Sequence, residues 1–137
     1  MQNLFGQLKI ELPPHYKDIF GKYCQSGKTG ARDKPHIYPF PRNVDMWFLA
    51  LCIAVKLEIP PIFSNEGDVW GAIQGTVFGS DHWRSDSLVL LAIGHSGNEK
   101  IIDNPNDMMK IANAYALAGL PILIAKLDEG QGDNILD

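Results

Sequence analysis

Residues 44–57 constrain the fold more than any other part of the chain. Val44-Asp-Met-Trp-Phe-Leu-Ala-Leu-Cys-Ile-Ala-Val-Lys-Leu57 is apolar nearly all round once its first turn is passed. A helix apolar on every face has to be enclosed by other elements. The longest apolar run, Met46 to Val55, falls well short of the roughly 20 residues a membrane span requires. The segment therefore predicts the central buried helix of a folded core, with no membrane partner. Asn43 is a good N-cap, Asp45 puts a carboxylate at the positive end of the helix dipole, and Pro60-Pro61 ends the helix beyond Leu57.

Other segments supply the elements that enclose it. Ser80 or Asp81 can cap a helix over His82 to Ile93, with Leu88, Leu90, Leu91 and Ala92 apolar and Gly94 and Gly97 as exits. Asn104, Pro105 and Asp107 open a helix over Met108 to Ala118, which Gly119 ends with Pro121 just beyond. Asp68 to Phe78 has helical apolar spacing broken by Gly71 and Gly75 and reads as helix or irregular chain. Pro121 to Leu127 fits a strand or a short helix.

Nearer the start, Leu8-Lys-Ile-Glu-Leu12 alternates like a short strand before Pro13-Pro14, and Tyr16 to Tyr23 has room for two helical turns. Residues 25–42, rich in Gly, Lys and Pro, read as an extended connector. A chain of 137 residues is one domain's length. The expected fold is mainly α, a compact bundle of three to four helices with an extended N-terminal segment and at most minor strands. Its parts are a basic Pro/Gly-rich segment 1–42, a helical core 43–127 and an acidic tail 128–137.

Charge divides along the same lines. Residues 1–42 carry seven Lys or Arg against three acids, while the rest carries five against thirteen, for a net charge of −4. A basic leader before an acidic body predicts either a solvated arm or one that meets nucleic acid or an acidic partner surface. Lys22, Lys28, Arg32, Lys34 and Arg42 are the candidate contacts for DNA or a partner protein. Their dispersal among prolines predicts non-specific phosphate contact, not base reading. The pI near 5.5 argues against the whole domain serving as a DNA platform. The N-terminus lacks a basic start followed by an apolar stretch, so no signal peptide is expected and the cytoplasm is the expected compartment.

The motifs that could carry chemistry fail on spacing. Between Gly21 and Gly27-Lys28-Thr29 lie five residues where a phosphate-binding loop needs four, and no apolar helix follows. His15, His36, His82 and His95 stand singly, and Cys24 and Cys52 have no cysteine within metal-ligand spacing, so no metal or cofactor is expected. A Cys24–Cys52 bridge is not expected in a chain with so few cysteines, and Cys52 reads as a small buried hydrophobe. Gly94-His-Ser-Gly97 lacks the second spacer of a serine nucleophile elbow. Asp81-His82-Trp83-Arg84-Ser85-Asp86 is the densest polar cluster, and helix capping explains it more simply than an acid–base pair in a small hydrolase. No catalytic residue is assigned and no enzyme is expected. Trp47 reads as core, and Trp70 and Trp83 as half-buried packing residues.

The order of signals in the second half resembles one family. Arg42-Asn-Val-Asp45-Met-Trp-Phe-Leu-Ala50 is followed by Phe78, then Leu88-Val-Leu-Leu-Ala92, then Ile101-Ile102. Last comes Ile111-Ala-Asn-Ala-Tyr115-Ala-Leu-Ala-Gly119-Leu120. This is similar to the small bacterial accessory proteins of DNA phosphorothioation systems, the family called Dnd system-associated protein four. The shared features are a charged residue and Asp before an apolar helix, a Leu-Ala helix and a Tyr-Ala-x-x-Gly-Leu ending. The resemblance covers about residues 40–125, and the chain departs from the pattern in its long basic leader, 1–39, and in having no acidic run just before Tyr115. It implies an accessory role in DNA modification or phage defence through protein partners and non-specific DNA contact, with no catalytic residues to transfer. A small DNA-binding regulator is the alternative.

Overall fold

Alternation decides the first element. In β1 (Lys9–Leu12), Ile10 and Leu12 point into the core and Lys9 and Glu11 into solvent. The strand pairs antiparallel with β2 (Trp70–Gln74), and the register slips between Ile10 and Glu11, which leaves Ala72 as the extra residue of a bulge. Glycines 71 and 75 break the helical spacing of this stretch, so it forms a strand and then a 3₁₀ turn, Gly75–Gly79. The computed structural model describes residues 3–25, 34, 36–63 and 67–136, with the backbone alone for 131–136.

Among the described residues four α-helices surround this ribbon: α1 (Tyr16–Tyr23), α2 (Asn43–Lys56), α3 (His82–Ser96) and α4 (Pro105–Leu136). The fold is mainly helical with one small two-stranded antiparallel sheet, as the sequence predicts. Gly97, with φ of 68°, ends α3 in the left-handed conformation. Arg42 occupies the N-cap position of α2, where its N–H donates to the Asp45 carboxylate at 2.8 Å. Asn43 is the first helical residue and sends its side-chain amide to the Ala72 carbonyl of β2 instead.

Three expectations are corrected. Gly119 does not end a helix. It lies inside α4, as does Pro121, and a Cβ on Gly119 would come within 1.8 Å of the Ala50 carbonyl oxygen. Its smallness serves the approach of α2 to α4, an inter-helix demand that a residue-by-residue scan for helix ends misreads. The central helix is α4, buried almost all round from Met108 to Leu123, while α2 leaves Leu49 and Val55 in water. Residues 105–130 thus form one helix long and apolar enough to cross a membrane, and most of that stretch is buried within the fold.

The third correction concerns the leader. The core does not begin at Asn43, because Phe5, Ile10, Leu12, Phe20, Tyr23 and Cys24 are all buried in the same cluster as Trp47 and Phe78. The alternation of β1 and the apolar stripe of α1 give these residues an inward face, and local charge bias does not counteract it. The far end of the leader is also tied back, since Gln25 N–H donates to the Phe40 carbonyl at 2.8 Å.

Candidate functional site

The polar cluster 81–86 is built around Arg84. Helical spacing places Arg84, Leu88 and Ala92 on the buried stripe of α3. The Arg84 guanidinium donates to Asp45 at 2.7 Å and to Asp81 at 2.9 Å, and Arg42 donates to Asp81 at 2.9 Å. The Arg84 side chain is 10% exposed, and its guanidinium carbon sits 4.5 Å from the Trp83 ring centre and 5.3 Å from that of Phe48. Two carboxylates and two aromatic faces thus hold one cation, which locks the start of α3 to the start of α2. Arg84 Nε is buried without a hydrogen-bond partner among the described residues. His82 and Asp86 are both exposed and make no hydrogen bond to each other among the described residues. Asp81 faces arginines, so the cluster has the geometry of a clamp and no acid–base pair.

Of the five candidate contacts, the three that are described have different surroundings. Arg42 belongs to the clamp, and Lys22 lies 3.4 Å from Asp128 of α4. Lys34 is exposed, while Lys28 and Arg32, with Gly27 and Thr29 of the failed phosphate loop, lie outside the described residues. The Tyr23 hydroxyl also donates to Asp128. That hydrogen bond, helped by Lys22, holds the Asp128 carboxyl below its usual range. Tyr23 is raised, first by desolvation and then by the same carboxylate, and Lys22 is raised by its bonds to Tyr23 and Asp128.

Cys24 is buried and Cys52 is exposed on α2, with no disulfide between them, so Cys52 is not the core residue its apolar neighbours suggest. Partial desolvation still raises the Cys52 thiol above its usual value, against the pull of Arg84, so it lacks the profile of an activated nucleophile. Among the described residues no three His, Cys, Asp or Glu side chains converge as metal ligands would. Trp47 is fully buried and Trp70 half-buried, as expected, but Trp83 is 58% exposed. With Leu49, Val55 and Leu90 it belongs to a set of large apolar side chains that α2 and α3 present to solvent.

A trough of about 390 Å³ runs between β1 and the first turns of α4. Consecutive residues Gln7 to Pro13 form one wall, Asn106 and Lys110 the other, with Met109 buried beneath. Asn113 bridges the two walls. Its amide accepts from the Trp47 indole N–H at 2.9 Å and donates to the Glu11 carbonyl at 2.9 Å. No single residue signals this site in the sequence; the alternation of β1 is its one legible trace.

Comparison of the chain with protein-family models, curated proteins and solved structures finds no match. The resemblance to the phosphorothioation accessory family therefore rests on its motifs. One of them, Tyr115-Ala-x-x-Gly119-Leu120, sits in mid-helix as a packing surface.

Proposed function

We propose that the chain is a non-catalytic accessory protein that acts by docking on protein partners. The observation that carries this reading is the set of exposed apolar side chains on two core helices, Leu49 and Val55 of α2 with Trp83 and Leu90 of α3. Between Asp45 and Lys56, α2 has no charged or amide side chain to present to water. Large apolar groups held in water on rigid elements mark surfaces that a partner covers. The motif order supplies the setting, a bacterial DNA-modification or phage-defence system of the phosphorothioation type. Components of that system are the partners, and DNA held without sequence preference is a secondary one. Because Arg42 and Lys22 already face carboxylates, protein contact is the preferred mode.

Affinity purification of the chain from its own host tests this, run beside a Leu49→Glu/Leu90→Glu variant that keeps the wild-type melting midpoint. Recovery of DNA-modification proteins with the wild type and their loss with the variant supports the proposal. Equal recovery by both, or recovery of no such protein, removes it.

A further inference from the structure

The two-stranded sheet has two outer edges, and helix asparagines reach both. Asn43 of α2 donates to the Ala72 carbonyl at 3.1 Å, and Asn113 of α4 donates to the Glu11 carbonyl at 2.9 Å. Among the described residues the edge of β1 is nonetheless incompletely closed. In an antiparallel pair the main-chain groups of successive residues point alternately toward the partner and away from it. Gly75 N–H donates to the Leu8 carbonyl at 2.8 Å, so Leu8 faces β2 and Lys9 faces outward. Glu11, two residues on, also faces outward, as its bond to Asn113 requires. The Lys9 N–H, the Lys9 carbonyl and the Glu11 N–H therefore open onto the trough between β1 and α4.

We infer that this open edge docks an extended peptide segment of a partner protein, which adds as a short strand along β1 at Lys9, up to the point where Asn113 meets Glu11. The inference rests on the accessory reading and specifies how a partner is held. Open main-chain groups beside a trough recognise another extended backbone, because only a strand offers donors and acceptors at matching spacing. At about 3.3 Å per residue, roughly four residues of such a segment lie along Gln7 to Glu11. Two cations, Lys9 and Lys110, and two acids, Glu11 and Asp68, line the trough, so net charge contributes little. The backbone supplies the recognition, and a modest apolar side chain fits over Met109. A second folded copy is a poor occupant. Its own β1 edge is recessed beside its own α4, so two such edges cannot meet.

The test is selection of a random heptapeptide phage library on the full chain, followed by titration of a synthetic selected peptide against the ¹⁵N-labelled protein. We expect the Lys9 and Glu11 amides to shift on binding and their hydrogen exchange to slow about tenfold or more, as new strand hydrogen bonds do. Raising salt from low to moderate should change affinity less than about twofold, since the rim charges sum to zero. Lys110→Trp, at an exposed position of α4, should fill the trough and weaken binding about tenfold or more. Asn106→Trp provides the same block should the first variant fold poorly. Failure to select any peptide overturns the inference. Peptides that move α2 and α3 amides but leave Lys9 and Glu11 unshifted overturn the edge site while leaving the accessory reading in place. A dimer in sedimentation with Lys9 protected without peptide replaces the peptide with a second copy and overturns it as well.

Discussion

Gly119 and Gly94 are both helical glycines, yet they should respond to alanine with opposite signs. Gly94 has nothing within 4 Å of where a Cβ would stand, so Gly94→Ala should stabilise by about 0.5–1 kcal/mol through helix propensity alone. At Gly119 the same methyl would meet Ala50 backbone at 1.8 Å, and backbone cannot rotate away as a side chain can. Overpacking of this kind costs about 1–3 kcal/mol and outweighs the propensity gain, with helix separation as the structural result. Thermal melting of the two variants checks both signs, and a Gly119→Ala protein as stable as wild type would mean that α2 and α4 do not cross there. Asn113 is the other residue whose removal reaches across elements. Asn113→Leu strands the indole N–H of the fully buried Trp47, a loss of about 1–3 kcal/mol in chemical denaturation, while the Glu11 carbonyl regains water.

Between elements, two polar devices do different work. The clamp on Arg84 joins α2 to α3 using a planar cation that two carboxylates and two rings grip at once, a geometry a point-charge ammonium does not reproduce. Arg84→Lys should therefore cost about 1 kcal/mol or more in denaturant unfolding, and Arg84→Ala about 3 kcal/mol, because Asp45 and Asp81 stay partly buried with Arg42 as their remaining cation. The clasp of Tyr23 and Lys22 on Asp128 joins α1 to α4 at the surface and titrates. Asp128 is lowered in the folded state, so its contribution is present above the unfolded carboxylate pKa and is lost as pH falls through the folded value. Tyr23 and Lys22 are raised, so theirs holds at neutral pH and is lost as pH rises past their unfolded values toward the folded ones. Stability followed against pH should show Asp128→Asn removing part of the acid limb, and an unchanged limb would show that the clasp does not form.

The elements themselves are largely legible in the sequence. β1, α1, α2 and α3 announce themselves by alternation, proline stops and a glycine exit, all local signals. The run from residue 105 to 136 is misdivided because Gly119 and Pro121 look like a stop, while the reason α4 continues lies across the interface on α2. Which face of α2 stays wet is illegible for the related reason that a helix apolar all round has no polar face to reveal it.

At the scale of the whole molecule, the leader has two natures that sequence charge conflates. Phe5, Ile10, Leu12, Phe20 and Tyr23 are each 1% exposed or less, and burial of side chains this large is worth about 1.5–3 kcal/mol apiece. Together that matches the entire stability of about 5–15 kcal/mol that a domain possesses. Deleting residues 1–24 should therefore abolish cooperative melting altogether, and a truncated chain with a sharp transition would mean the leader is dispensable to the core. Truncation cannot then test DNA binding, since its loss would report loss of fold. Charge reversal in the intact chain can. Lys28→Glu, Arg32→Glu and Lys34→Glu change three bases of the connector and leave every described residue of the buried cluster in place. If the arm lies against phosphates, the wild type binds duplex DNA in the micromolar range or weaker at low salt. Every phosphate that is no longer neutralised flattens the log–log salt slope by about 0.9. We expect the triple variant to lose binding at low salt and to flatten the slope by up to about three such increments, with its melting midpoint unchanged. Fluorescence anisotropy of a labelled duplex at about 50 and 200 mM salt separates the outcomes. Identical curves for the two chains would take the arm out of DNA binding and leave proteins as the sole class of partner.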